Sequence, residues 1–131
     1  IRAAETLGAE LAYVGTAFIA CEESIADLAY KEMVVGASAE DILPSKGITG
    51  VTANWLRQSL IAAGYDPANM PEDKKPNFEN TNDNSKAWKN VWSAGQGVGA
   101  VTAVEPIAQI VARLKAEYDF ACKLPRFDMK E

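Results

Sequence analysis

Histidine is absent from this chain of 131 residues. Imidazole serves much of the acid–base catalysis that proteins carry out near neutral pH, and it is a common metal ligand. A complete enzyme built from this sequence would need carboxylates, Lys, Tyr, Cys or a cofactor instead. A portion of a larger enzyme could have its histidine elsewhere in the protein.

Cysteine and clustered positive charge are also scarce. Cys21 and Cys122 lie far apart without the spacing of a metal site, so no metal is expected. The two could pair, but reduced thiols in a cytoplasmic protein are the favoured interpretation. The net charge is −5, and only Lys74 and Lys75 form a basic pair. Nucleic acid is therefore not expected as a partner, because phosphate backbones require clustered Lys and Arg.

Long apolar runs are missing, and the chain opens abruptly. A membrane helix requires an apolar run of about 18 residues, and no run in this sequence reaches that length. A membrane partner is therefore not expected. The first five residues, IRAAE, resemble the middle of a helix and lack an initiator Met. We therefore expect another segment to precede them.

The patterns that are present predict an α/β start followed by mostly helical structure. Gly8 is expected to end a first helix, and residues 11–14 read as a short buried strand of a parallel sheet. Further helices are predicted from about residues 22 to 35, 38 to 43, 52 or 54 to 63, 85 to 92, and 105 to 120, with a long polar excursion over 65–85. Ser38 with Asp41 can cap the helix at 38–43; Thr52 or Asn54 can cap the next helix, which Gly64 is expected to end. The side chains expected on their inner faces are Ile25, Leu28, Ala29, Met33, Trp55, Leu56, Leu60, Ile61, Ala87, Trp88, Val91, Trp92, Ile107, Ile110, Val111 and Leu114.

Two glycine-containing turns are the candidates for chemistry. Gly15-Thr16-Ala17 follows the predicted strand, where backbone N–H groups and the Thr hydroxyl could hold a phosphate; a simple strand-to-helix turn is the alternative. The turn from Gly95 to Gly99, which includes Gln96, could close over a flat cofactor or serve as a hinge. It follows a helix, which argues against a dinucleotide fingerprint.

Other reactive side chains have simpler interpretations. Glu22 and Glu23 suit the first turn of a helix, and the three Trp residues are typical core anchors. Cys21 lacks a basic neighbour in the sequence that would activate it as a nucleophile. The sequence therefore assigns no catalytic residue.

Nearly the whole chain resembles the nitronate monooxygenases, formerly called 2-nitropropane dioxygenases. The resemblance is carried, in order, by GAELAYVGTAFIA at residues 8–20, EES at 22–24, AYK at 29–31, TGV at 49–51, NWLR at 54–57, AAGYDP at 62–67, AWK at 87–89 and WSAGQGVG at 92–99.

The resemblance implies the C-terminal part of a (β/α)₈ TIM barrel with an added, mainly helical segment, so that this chain is itself mostly α. Residues 1–38 would supply the last strand and its flanking helices, 39–92 the helical insertion with its polar loop, and 93–131 the glycine-rich turn and last helix. FMN would be the cofactor, held by Gly15, Thr16 and Ala17 with Gln96 nearby. The partners implied are an alkyl nitronate, O₂ and the remainder of the barrel; whether the protein is a homo-oligomer stays open.

The family's catalytic histidine has no counterpart in this sequence. Two alternatives therefore stay open. One is an NAD(P)H-dependent flavin oxidoreductase or enoyl-thioester reductase of the same barrel group. The other is a non-catalytic helical interaction module, indifferent to FMN.

Overall fold

The computed structural model describes residues 1–72 and 91–124. Its helices are α1 (Arg2–Thr6), α2 (Thr16–Ile19), α3 (Leu28–Val35), α4 (Arg57–Ala62) and α5 (Ile107–Lys123). Short 3₁₀ helices span Ala39–Asp41 and Gln96–Ala100. Strands β1 (Ile42–Ser45) and β2 (Ala53–Leu56) form an antiparallel pair in which Leu43 lies opposite Trp55. The prediction of a mostly helical chain is confirmed for the described residues.

Local signals placed several helix ends correctly. Gly8 and Gly64 adopt positive φ angles of 92° and 84° just after α1 and α4, where a side chain would be strained. Ser38 and Asp41 form the reciprocal hydrogen bonds of a capping box around the first 3₁₀ helix. Each of these features depends only on residues within a few positions of one another.

The predicted strand at residues 11–14 is not formed in this structure. The segment has no regular secondary structure, and the side chains of Leu11 and Tyr13 are almost fully exposed. A β-strand is stable only when its backbone is paired with a neighbour. The described residues give this segment no such neighbour, because the one sheet they form is the β1–β2 pair.

The helices predicted over 38–43 and 52–63 are replaced in part by the β1–β2 hairpin. Ile42 and Leu56 face the core from paired positions, and β2 continues into α4. The Leu56 N–H also donates to the Trp92 carbonyl oxygen at 2.9 Å, so the predicted helical end at 91–92 is extended backbone beside β2. Its beginning, 85–90, lies outside the described residues. Pairing across the hairpin therefore overrides local helix propensity.

Other corrections concern helix starts and inward faces. Helix α3 begins at Leu28 rather than near Glu22, because the Asp27 side chain accepts from the Ala29 N–H at 3.0 Å and caps it. Leu60 and Ile110 are buried as predicted. Several side chains predicted to point inward are exposed instead: Ile25, Leu28, Ala29, Ile61, Ile107 and Val111.

Two apolar clusters hold the described chain together. The first contains Ala20, Val34, Ala37, Ile42, Leu56, Ala94, Val98 and Val101. The second contains Ile48, Trp55, Leu60 and Val91. The first cluster joins residues that follow α2 to the second 3₁₀ helix, which brings the two predicted functional turns into one region.

Over the described ranges, no helix combines the length and apolar character needed to cross a bilayer.

Candidate functional site

The two glycine-containing turns lie in direct contact. The Gly95 N–H donates to Thr16 Oγ1 at 2.9 Å, although 79 residues separate them. A β-carbon at position 95 would lie 3.4 Å from the same oxygen, at van der Waals contact. The structure thus brings together Thr16 and the turn that contains Gln96.

Ring stacking and hydrogen bonds hold residues 92–93, which directly precede the second turn. The rings of Tyr30 and Trp92 stack with centroids 5.0 Å apart and planes inclined by 12°. The Tyr30 hydroxyl donates to the Ser93 carbonyl oxygen, and the Trp92 N–H donates to Ser59 Oγ at 2.7 Å. Burial raises the pKa of the Tyr30 phenol, so it stays a hydrogen-bond donor at neutral pH. Residues 92–95 are therefore held in place at the site.

Donors remain available at the first turn. Thr16 Oγ1 accepts from Gly95, and no acceptor for its own proton occurs within 1–72 and 91–124. The N–H groups of Thr16 and Ala17 belong to the first turn of α2, where a helix supplies no internal acceptor. A β-carbon built at Gly15 would meet nothing within 4 Å. These donors and this open space suit the close approach of a phosphate.

Two cavities are lined in part by Gly15 and Thr16. The first, of about 300 Å³, we call the Arg113 cavity; its lining includes Tyr13, Gly15, Thr16, Gly97, Arg113 and Glu117. The second, of about 380 Å³, we call the Asn54 cavity; its lining is Gly15, Thr16, Ile19, Ala53, Asn54, Ser93, Ala94 and Gly95. Charged side chains line the Arg113 cavity, whereas the lining of the Asn54 cavity carries none.

Gln96 lies beside the site with an exposed side chain. Its Oε1 accepts from Asn54 Nδ2 at 3.4 Å, a long hydrogen bond between the second turn and β2. Gln96 does not line either cavity. Its contribution to cofactor binding stays a prediction.

Other polar and reactive side chains of the described residues make structural hydrogen bonds or are free thiols. The Glu23 carboxylate accepts from the Ile107 N–H at 2.9 and 3.1 Å, so it caps the start of α5 rather than a helix of its own. Cys21 and Cys122 are free thiols. Lys31 is buried and donates to the Cys21 and Glu22 carbonyl oxygens at 2.7 and 3.2 Å. The described residues contain no group of side chains suited to a metal ion.

Sequence reasoning selected neither Arg113 nor Asn54 as a site residue, although each lines a cavity beside Thr16. Arg113 lies on α5, where the sequence shows nothing beyond a cation on a solvated face. Asn54 lies on β2, which the sequence did not predict. Neither position carries a local signal, because both reach the site only through tertiary packing.

Comparison with known proteins gives a consistent result. No family profile matches the chain. It is 39% identical over 67 residues to a nitronate monooxygenase of Paraburkholderia phytofirmans, covering 51% of this chain and 18% of that protein. It is 26% identical over 129 residues to a probable nitronate monooxygenase of Bacillus subtilis, covering 89% and 36%.

A solved structure supports the fold. The structure of a FabK variant from Thermotoga maritima matches with a TM-score of 0.62 at 23% identity, over 92% of this chain and 38% of that one. FabK is a TIM-barrel enzyme, so this chain has the fold of part of such a barrel. The matches confirm the resemblance seen in the sequence: the chain is similar to nitronate monooxygenases and spans about a third of their length or less.

Proposed function

We propose that the chain is the C-terminal part of a flavin-dependent oxidoreductase, most similar to nitronate monooxygenase, and that Gly15, Thr16 and Ala17 bind the phosphate of FMN. The hydrogen bond from Gly95 to Thr16 carries this proposal. It joins the two turns that the resemblance assigned separately to cofactor binding, and it leaves the Thr16 proton free to donate.

The chain's residues would act by binding and enclosure. A bound flavin would supply the electron transfer by which an alkyl nitronate is oxidised with O₂. Thr16 and the first-turn N–H groups of α2 would hold the phosphate. The stacked rings of Tyr30 and Trp92, with the hydrogen bond from Tyr30 to Ser93, would hold the second turn beside it. Histidine would have to come from the rest of the protein, because this chain has none.

The first prediction is that the full-length protein containing this chain is yellow as purified and releases FMN on heating. It should oxidise an alkyl nitronate with O₂ in the absence of NAD(P)H. NADPH consumption that requires an enoyl thioester would instead indicate the reductase alternative. A colourless protein that FMN neither binds nor stabilises would contradict both and support an interaction module.

We further propose that residues 11–14 form the last barrel strand when the rest of the barrel is present. The run Leu-Ala-Tyr-Val is apolar and β-prone, yet it is exposed here. Within the described chain, backbone hydrogen bonds of Leu11 and Tyr13 are absent. An unpaired apolar segment of this kind is suited to join a neighbouring sheet as a further strand.

The second prediction compares amide hydrogen exchange in the 131-residue chain and in the full-length protein. The amides of residues 11–14 should exchange rapidly in the short chain and slowly in the full-length protein, because ladder hydrogen bonds protect them. The amide of Leu60, buried in α4, provides the control and should be protected in both. Equal, rapid exchange of residues 11–14 in both proteins would show that this segment is not a strand.

A further inference from the structure

The Asn54 cavity is walled by segments that the core and the hairpin hold in place. Asn54 lies on β2, which pairs with β1, and Ser93 forms an antiparallel bridge with Trp55 of the same strand. Ala94 is 6% exposed and belongs to the first apolar cluster. The lining includes nothing from residues 11–14, so formation of the proposed barrel strand removes none of these walls.

Two side chains in this lining have unused hydrogen-bonding capacity. Ser93 Oγ has no hydrogen-bond partner in the described part of the chain. One end of the Asn54 amide contacts Gln96 through the 3.4 Å bond, and its other end is unpartnered over the same residues. A serine hydroxyl both donates and accepts, and each end of an amide does one or the other. These groups suit a ligand that carries several hydroxyl groups.

The rest of the lining favours a neutral ligand. It contains no charged side chain, and Ile19, Ala53 and Ala94 add apolar surface. An anionic group buried there would lack a compensating charge, which is unfavourable. A chain of carbon atoms that bears hydroxyl groups would satisfy both the polar and the apolar parts. The volume of about 380 Å³ lies within the range of about 300–1,000 Å³ that is typical of small-molecule sites.

We propose that Asn54 and Ser93 bind the hydroxyl groups of the ribityl chain of FMN. This inference rests on the proposed function, because it requires the phosphate to be held at Thr16. In FMN the ribityl chain is attached directly to the phosphate and is a neutral polyol. Thr16 lines the Asn54 cavity, so the part of FMN that follows the phosphate enters a lining that suits it. Asn54 and Ser93 are therefore positioning residues for the flavin.

The test compares FMN with an analogue in which an unsubstituted pentyl chain replaces the ribityl chain, so that the phosphate and the ring system are kept. Both flavins are titrated into the full-length protein and its Asn54→Ala and Ser93→Ala variants, and flavin fluorescence gives each Kd. Loss of one neutral hydrogen bond should raise the Kd for FMN about two- to tenfold in each variant. The Kd for the analogue should not rise, because the analogue has no hydroxyl group for these residues to bind.

Asn69→Ala is the matched control, because this exposed asparagine lies outside the lining of the cavity and should leave both Kd values unchanged. An equal loss of affinity for both flavins in Asn54→Ala would overturn the proposal, since it would indicate that Asn54 acts by holding Gln96. Unchanged FMN binding in either variant would also overturn it, as would a wild-type protein that binds FMN and the analogue equally well.

The test stays decisive if Asn54→Ala does not fold. Ser93→Ala removes only a hydroxyl that has no partner among the described residues, so it should fold normally and still discriminate between the two flavins. A wild-type protein that binds neither flavin would instead refute the proposed function.

Discussion

Replacing Thr16 by valine in the full-length protein is expected to weaken FMN binding by about ten- to a hundredfold. The substitution leaves the Gly95 N–H without its acceptor, which costs about 1–3 kcal/mol when the group is shielded from water. It also removes the hydroxyl proposed to donate to the phosphate, a charge-assisted bond worth about 1.5–3 kcal/mol. The first cost lowers the stability of the free and the FMN-bound protein alike, so the second sets the change in Kd, which is about ten- to a hundredfold.

Thr16→Ser is the matched control for this prediction, because serine keeps the hydroxyl and loses only a methyl group. It should retain most of the affinity for FMN. Hydrogen exchange at the Gly95 amide gives an independent readout, since it should accelerate in the valine variant and not in the serine variant. An FMN affinity unchanged by Thr16→Val would show that Thr16 does not hold the phosphate.

The second large effect is expected at Trp55. Its side chain is completely buried among Ile48, Leu60 and Val91, and its indole Nε1 donates to the Ser45 carbonyl oxygen at 3.0 Å. Truncation to alanine leaves a cavity in this cluster and removes that hydrogen bond. The free energy of unfolding of the 131-residue chain should fall by about 3–5 kcal/mol.

Chemical denaturation measures this loss as a lower midpoint with an unchanged slope. Ile61→Ala is the informative comparison, because the sequence predicted Leu60 and Ile61 to point inward together. The structure leaves Ile61 58% exposed, so its truncation should change stability by less than about 0.5 kcal/mol. If Ile61→Ala were as costly as Trp55→Ala, the packing of α4 described above would be wrong.

Most of the features predicted correctly from the sequence are local. The glycines after α1 and α4 provide positive φ, and the Ser38–Asp41 capping box closes within four residues. Trp55 and Leu60 were predicted in the core because large apolar side chains are usually buried there. The family resemblance also came from the sequence, because its motifs follow one another in order along nearly the whole chain.

Most of the errors occur where pairing between distant segments decides the structure; the start of α3, which the local cap at Asp27 sets, is an exception. The hairpin at 42–56 replaces predicted helix because its two strands satisfy one another's backbone groups. The exposed run at 11–14 has the composition of a strand, but composition cannot supply the neighbouring strand. Exposure of Ile107 and Val111 on α5 is likewise a property of what packs beside the helix and not of its periodicity.

The sequence by itself determined the resemblance to nitronate monooxygenases and singled out two glycine-containing turns. It did not determine that these turns meet, that Arg113 lines a cavity beside Thr16, or that Asn54 lies across from Gln96. Hydrogen bonds and caps within four residues are dictated by neighbouring side chains, whereas a contact between positions 16 and 95 depends on how the whole chain packs. The tertiary structure therefore decided the composition of the candidate site, because burial of Ala20, Ala94 and Val98 in one cluster is what draws the two turns together.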